Sequence, residues 1–360
     1  MTRKLHTTVL IVPTGIGAAI GGYAGDALPV AKTLAQVTDR LITHPNVLNG
    51  AQLFWPMDNA FYVEGYGLDQ FAAGHWGLRP VHQNSIGLVI DRAVDDDLRW
   101  RHLQAADAAR ATLGLDVQAH VTTDMPLGVT LKAAASGASW GTLENPGSLL
   151  RAAERLITEE RVGAIAVIAR FPEDENSPAL EAYRQGKGVD PLAGVEAVIS
   201  HLVVRTFKLP CAHAPALSPL PLDPNISPRS AAEEIGYTFL PCVLAGLSRA
   251  PQFVCDTEKR TADTMNARQV DAVVVPASAF GGSAAMSLGA LLNRWGGQVI
   301  AVEDNSTAMT VRAEDLGIRA VAVDSYLAAA GAIAAYRAGV VPSALRAGDT
   351  RMTDLNKASS

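Results

Sequence analysis

The sequence predicts an α/β protein with mostly parallel sheets and helices on both faces. Three observations lead there. Apolar, β-branched runs alternate with helix-length amphipathic patterns along most of the chain. Several runs pass into the following helix through glycine-rich turns. The 360 residues, 48% hydrophobic and 18% charged, are enough to bury a sizeable core.

Taken in order, the strand candidates are residues 8–12, 86–91, 115–121, 162–169, 272–275, 298–302 and 319–323. Each is a short apolar run bounded by turn or polar residues. The helix candidates are 27–41, 96–113, 148–160, 191–204, 230–235, 241–247, 284–294 and 326–338. Asp26 has the chemistry of an N-cap for the first. Two regions break the alternation: 44–85, rich in aromatics, Asn and Gly, and 209–228, with six prolines, read as a long crossing or linker. The resulting division is an N-terminal lobe at 1–208 carrying an irregular insertion at 44–85, a C-terminal lobe at 209–345, and a flexible tail at 346–360. "VLIVPTGIGAAIGG" and "AVVVPASAFGGSAA" share a strand, a proline and then glycines. They point either to two pseudo-equivalent lobes or to two turns solving the same steric problem.

Composition narrows the function. A net charge of −6 without a basic block argues against nucleic acid and membrane surfaces as partners. Cys211, Cys242 and Cys255 fit no disulfide framework and no zinc spacing, so a reduced cytoplasm is the expected location. No metal and no cofactor is expected. A homo-oligomer is left open.

The stretch "VLIVPTGIGAAIGGYAGDALP" at 9–29 fails two familiar readings. Glycines and Pro13 interrupt the apolar run that a secretory signal needs. A dinucleotide loop needs G-x-G-x-x-G, a tight helix start and an acid after the second strand. Here the glycines are one residue off, the helix starts late, and "LITHPN" carries no acid. Tyr183 and Lys187 have the spacing used by short-chain reductases, but Lys187 lies between glycines. An NAD(P)-dependent oxidoreductase is therefore the third reading.

In open α/β sheets, ligands sit beyond the carboxyl ends of the strands. Glycine- and serine-rich loops there present backbone N–H groups to an anion. Three loops have that character, and with the polar residues beside them they supply the expected binding set. The first loop contributes Thr14, Gly15 and Gly17, the second Ser136 and Ser139, the third Ser278, Gly281, Gly282 and Ser283. Glu303 and Asn305 follow another strand. The densest chemistry lies at 42–71, where His44 is a candidate general base, Glu64 a second proton carrier, and Asn49 and Tyr62 ligand contacts. Cys242, behind Pro241, either sits in a first helical turn as a thiolate that His213 could pair with, or is a packed, inert thiol. Arg249 is either a carboxylate clamp or a helix C-cap.

At this point whole phrases, among them "LITHPNVLNGA", "NSIGLVID", "SGASWGT", "AAEEIGYTFLPCVLAGLSRAPQF" and "AVEDNST", resemble a family of uncharacterised, mainly bacterial proteins catalogued as a domain of unknown function. The resemblance runs from about residue 8 to 340. It implies one family-wide unit and brings no activity with it. The leading expectation is a cytoplasmic enzyme that hydrolyses or isomerises a small carboxylate-bearing metabolite, with the anion held by the glycine loops. The alternative is a non-catalytic sensor binding a metabolite or nucleotide in the same loops.

Overall fold

The structure, a computed structural model, describes residues 4–49, 56–172, 177–234, 240–345 and 347. It is α/β, with two parallel sheets. The first combines β1 (Thr7–Leu10), β2 (Arg40–Thr43) and β3 (Ala60–Tyr62) with strands from the far end of the chain. Between them come a two-stranded antiparallel pair formed by β4 (Gly77–Arg79) with a later strand, then β5 (Ile86–Ile90) and β6 (Val117–Thr122). The hairpin of β7 (Val129–Ala133) and β8 (Ser139–Leu143) follows, and then β9 (Ala164–Arg170), β10 (Cys211–Ala216) and β11 (Gln252–Val254), the partner of β4. The first sheet is completed by β12 (Ala272–Pro276), β13 (Gln298–Val302) and β14 (Val321–Val323).

The order in the large sheet is β14-β13-β12-β1-β2-β3, and in the second β10-β9-β5-β6. Counted within its own sheet, the first runs 3-2-1-4-5-6, the doubly wound order that reverses between β1 and β12. The second sheet is inserted between β3 and β12. Both sheets take strands from either side of residue 208, so the sheets do not follow the division into 1–208 and 209–345. The two look-alike segments do not head separate lobes either. β1 and β12 are adjacent parallel strands of one sheet, with Thr8 opposite Ala272.

The helices are α1 (Leu28–Gln36), α2 (Pro45–Leu48), α3 (Gly65–Ala72), α4 (Asp96–Leu113), α5 (Pro146–Glu159), α6 (Pro178–Arg184), α7 (Ala193–Phe207), α8 (Pro228–Ala232), α9 (Leu240–Ser248), α10 (Ser283–Trp295) and α11 (Tyr326–Arg337). α4 shows how local chemistry sets the ends. Asp95 accepts the Leu98 N–H at the start, Asp96 and Asp97 sit in the first turn, and Gly114 closes the helix at φ 67°.

Strands buried on both faces explain the continuous apolar runs. In β12, Ala272 and Val274 face one core, shared with the second sheet and with α1, α9 and α11. Val273 and Val275 face another, under α3 and α10. The outer face of the second sheet packs on α5 and α7 through Val89, Ile165, Val167, Leu149, Val195 and Ile199.

Tertiary pairing changed several local expectations. The run 27–41 is not one helix: α1 stops at Gln36 and Arg40 begins β2, which pairs with β1. The proline-rich crossing contains β10. Its position at the sheet edge tolerates Pro215, which has no N–H to donate. The segment 44–85 is not irregular but holds α2, β3, α3 and β4. Residue 235 of one expected helix, residues 50–55 of the polar cluster and nearly all of the expected tail lie outside the described residues.

Candidate functional site

A cavity of about 90 Å³ lies beyond the carboxyl ends of β1, β2 and β3, where α7 crosses from the second sheet. Its lining includes Thr14, His44, Asn46, Asn49, Glu64, Asp190, Glu196, Ser200, His201 and His213. A groove of about 830 Å³ between α1 and α11 is larger, but among the described residues of its lining Lys32 is the one ionisable side chain. Volume favours the groove; chemistry favours the cavity.

His44 follows β2 directly, and its Nε2 accepts the Val12 N–H at 3.0 Å. An accepting Nε2 places the ring proton on Nδ1 and makes the imidazole neutral. Burial pushes its pKa down to about 4. The expectation of a general base at His44 is therefore corrected: the ring is an uncharged hydrogen-bond donor through Nδ1, because its basic nitrogen is already taken.

Glu64 caps α3, with Oε2 accepting the Gly67 N–H at 3.1 Å, and its Oε1 lies 3.1 Å from His201 Nε2. Burial pushes Glu64 up to about 8 against the pull of the backbone N–H groups at Gly67, Tyr66 and Gly65. Burial, with His213 nearby, pushes His201 down to about 4. Near neutral pH the single proton of this pair stays on the Glu64 carboxyl and is donated to His201. The contact is between neutral groups: Glu64 is buried, so an ionised carboxyl there would lose its hydration, while His201 keeps part of its side chain in solvent. Gly65 makes room for it, since a Cβ there would lie 2.8 Å from His201 Nε2.

A second carboxyl–imidazole pair comes from α7 and β10. His213 Nε2 lies 3.4 Å from Glu196 Oε2, and His213 Nδ1 lies 2.8 Å from Ser200 Oγ. Asp190, ahead of α7, accepts the Leu192 N–H at 2.8 Å, and burial beside Glu196 raises its pKa to about 7. Asn49 Oδ1 accepts from the buried Tyr62 hydroxyl at 2.7 Å, so Tyr62 supports the wall through Asn49. Burial holds the Tyr62 phenol well above its ordinary pKa.

The structure thus brings Thr14, His44, Asn49, Glu64 and His213 together and scatters the other expected site residues. Cys242 is the third residue of α9, buried, and burial pushes its thiol up to about 11. Its expected pairing with His213 gives way to His213 contacts with Ser200 and Glu196. Cys242 is packed in the core, and the desolvation that comes with burial opposes any helix field on its thiol. Iodoacetamide at pH 8 should leave Cys242 unmodified in the folded protein, with about one thiol in a thousand ionised, and modify it fully in denaturant. Rapid modification without denaturant would contradict this. Arg249 is exposed and its nearest acid is the exposed Asp58 at 3.7 Å, so it clamps nothing in the cavity.

The glycine loops are largely occupied by the protein itself. The N–H groups of Ala19, Ile20, Gly21, Ala24 and Gly25 go to Ser306 O, Asn305 Oδ1, Asp26 Oδ1, Glu233 Oε1 and Asn46 O. Asp26 is therefore a loop clasp, paired also with Arg229, and not the cap of α1. Gly15 backs onto Ser139, whose Oγ would lie 2.8 Å from a Cβ there, and Gly17 backs onto Val189. Ser136 and Ser139 belong to the β7–β8 hairpin and not to a strand–helix turn; Ser136 is exposed, and Ser139 Oγ accepts the Gly194 N–H at 3.1 Å. Ser278 bonds Thr307 at 2.9 Å, while Gly281, Gly282 and Ser283 face solvent at the start of α10. Glu303 pairs with Arg312 at 2.5 Å. Asn305, buried, clasps Ile20 through its N–H and C=O and donates to Tyr326 Oη. These contacts join the loops after β1, β12 and β13 over the point where the strand order reverses. Tyr183 donates to Glu233 at 2.5 Å, and α6 ends before Lys187, so the two share no helix face.

Asp190, Glu196, Ser200 and His201 were missed in the sequence. A signal was present: ahead of Arg205 and Thr206 in its last turn, α7 is apolar except for Glu196, Ser200 and His201, the last two four and five residues on from the first. Among the described residues no group of three or more His, Cys, Asp or Glu side chains is arranged to hold a metal ion.

A family model described as "Protein of unknown function (DUF3326)" matches residues 7–346. The chain is 58% identical over 356 residues to the uncharacterized lipoprotein syc1174_c of Synechococcus sp., a match that spans 99% of this chain and 98% of the relative. The name of that relative overturns the expectation of a cytoplasmic location. Among the described residues no helix is long and apolar enough to cross a membrane. No solved structure matches the chain.

Proposed function

The chain belongs to the DUF3326 family of proteins of unknown function, and from that premise we propose that the cavity is the active site of an acid–base enzyme that hydrolyses or isomerises a small, uncharged, polar substrate. One observation carries the reading: two carboxyl–imidazole pairs, Glu64–His201 and Glu196–His213, line the same small cavity beside a neutral His44. Neighbouring titratable groups whose pKa values are driven apart are the usual means of running acid and base steps at one pH. Glu64, protonated near neutrality, is suited to donate a proton; His213, backed by Glu196, is suited to accept one. His44 and Asn49 supply hydrogen bonds that hold the reacting group.

The lining also bears on the substrate. Glu64, Asp190 and Glu196 carry carboxyl groups, and the described lining holds no Lys or Arg. A bound carboxylate would meet acids and no cation, and the loop N–H groups expected to hold it are largely spoken for. The carboxylate-bearing metabolite expected from the sequence has correspondingly less support than an uncharged ester, amide, lactone or hydroxy-carbonyl compound. A volume of about 90 Å³ accommodates about three waters at roughly 30 Å³ each, enough for the reacting end of a molecule.

The test is a panel of such compounds followed by proton NMR. At least one should be converted, with the rate falling on the order of 100-fold in both Glu64→Gln and His213→Gln. Conversion at the parent rate by either variant, or no conversion of any member by the parent chain, would count against the assignment.

A further inference from the structure

We propose that Ser200 is a nucleophile and that the cavity works by forming an ester on it. The proposal rests on the acid–base reading of the same cavity and decides between its two reaction types in favour of hydrolysis. The observation is a continuous relay: Ser200 Oγ to His213 Nδ1 at 2.8 Å, and His213 Nε2 to Glu196 Oε2 at 3.4 Å. A serine hydroxyl is a weak nucleophile until a base takes its proton and a third group orients that base. This sequence of contacts supplies both.

The contacts suit one tautomer. With the ring proton on Nε2, facing the Glu196 carboxylate at 3.4 Å, the Nδ1 lone pair is free to accept the Ser200 hydroxyl. The competing acceptor for that hydroxyl, the Glu196 carbonyl one turn back, is farther away at 3.3 Å. Packing fixes the relay. Ser200 and Glu196 are one turn apart on α7, and α7 lies along β10, which carries His213. Ser200, His213 and Glu196 all line the cavity, together with the neutral His44 and Asn49.

The chemistry balances with water as the only co-reactant. Ser200 Oγ bonds to the carbonyl carbon of an ester, lactone or amide as its proton passes to His213 Nδ1. His44 Nδ1–H is the donor suited to the oxyanion that forms. The bond to the leaving alcohol or amine then breaks, and that group departs with the proton from His213. Water attacks the acyl carbon and gives a proton to His213; the bond to Oγ breaks, Ser200 recovers the proton, and the acid is released.

Methanesulfonyl fluoride is small enough to suit the cavity and would transfer its sulfonyl group to Oγ with loss of fluoride. Intact-mass measurement of the full-length protein should show one added sulfonyl group, and peptide mapping should place it on Ser200. The adduct should be absent in Ser200→Ala and at least ten-fold slower to form in His213→Gln, with both variants shown to be folded by circular dichroism. No adduct on the folded parent chain, or an adduct at another serine that persists in Ser200→Ala, overturns the proposal. The two readings fail separately. Turnover of an isomerisable compound that needs Glu64 but leaves Ser200 unlabelled would keep the acid–base site and remove the nucleophile. Labelling of Ser200 with turnover indifferent to Glu64 would do the reverse.

Discussion

Glu64→Gln should be more stable than the parent chain near neutral pH, and its advantage should grow as pH rises. The Glu64 carboxyl titrates at about 8 in the fold, against an ordinary value of 4.5, because burial disfavours the ion. A group with a raised folded pKa contributes its full stability below the unfolded pKa. That contribution drains away as pH rises toward the folded value, since the unfolded chain releases the proton first. From pH 5 to pH 8 the loss approaches about 4 kcal/mol, at roughly 1.4 kcal/mol per unit. Glutamine keeps the shape, can still accept from Gly67 and can donate to His201, but it does not titrate. His44 and His201 change charge in the unfolded chain over the same window, but they do so in both proteins, so the difference isolates Glu64. Urea unfolding at several pH values between 5 and 8 measures it. A gap that stays flat over that range would mean that Glu64 is ionised in the fold, and the proton donor proposed for the cavity would be lost. The same substitution should abolish most turnover, an exchange of stability for function that is common at buried ionisable groups in active sites.

Gly194→Ala should cost about 3 kcal/mol, near the upper end of what overpacking usually does. A Cβ at this position would lie 2.1 Å from the Ser139 carbonyl oxygen, 2.4 Å from its carbon and 2.5 Å from Trp140 Cα. All three are backbone atoms of the β7–β8 hairpin, so no side chain can swing aside. The first turn of α7 would have to lift from the hairpin, losing the bond from Gly194 N–H to Ser139 Oγ. Glu196, Ser200 and His201 ride on that helix, so the cavity should lose its relay along with the stability. Gly282→Ala is the matched control: its φ is −78° and a Cβ there meets nothing within 4 Å. Denaturant midpoints of the two variants decide the matter. A Gly194→Ala protein as stable as the Gly282→Ala control would show that α7 and the hairpin are not pressed together.

Much of the fold was legible because its signals are local. The strand candidates at 86–91, 272–275 and 298–302 became β5, β12 and β13 almost residue for residue. Their apolar runs are too short for helices and are bounded by Asp, Pro or Glu. The helix expected at 96–113 became α4, with Asp95 and Gly114 setting its ends. Part of the cavity was legible for a related reason. His44 and Glu64 stood out in the polar cluster at 42–71, and they lie directly after β2 and just beyond β3, at the edge where the carboxyl ends of parallel strands gather.

The remainder depended on partners distant in sequence. Pro215 and its neighbours read as a linker until β9 supplied an edge to pair with. Residues 40 and 41 read as the end of a helix until β1 lay beside them. Cys242 had the local marks of a reactive thiol, but the core closing over α9 raised its pKa instead. The sequence by itself determined the α/β class, the parallel strands and the polar residues waiting at their ends, since periodicity, capping and turn chemistry act over a few residues. Only the tertiary structure decided which acids meet which imidazoles. Glu64 finds His201, and Glu196 and Ser200 find His213, because α7 crosses the ends of β2 and β3 on its way to β10. Burial there, which no local pattern encodes, sets which of those groups holds a proton.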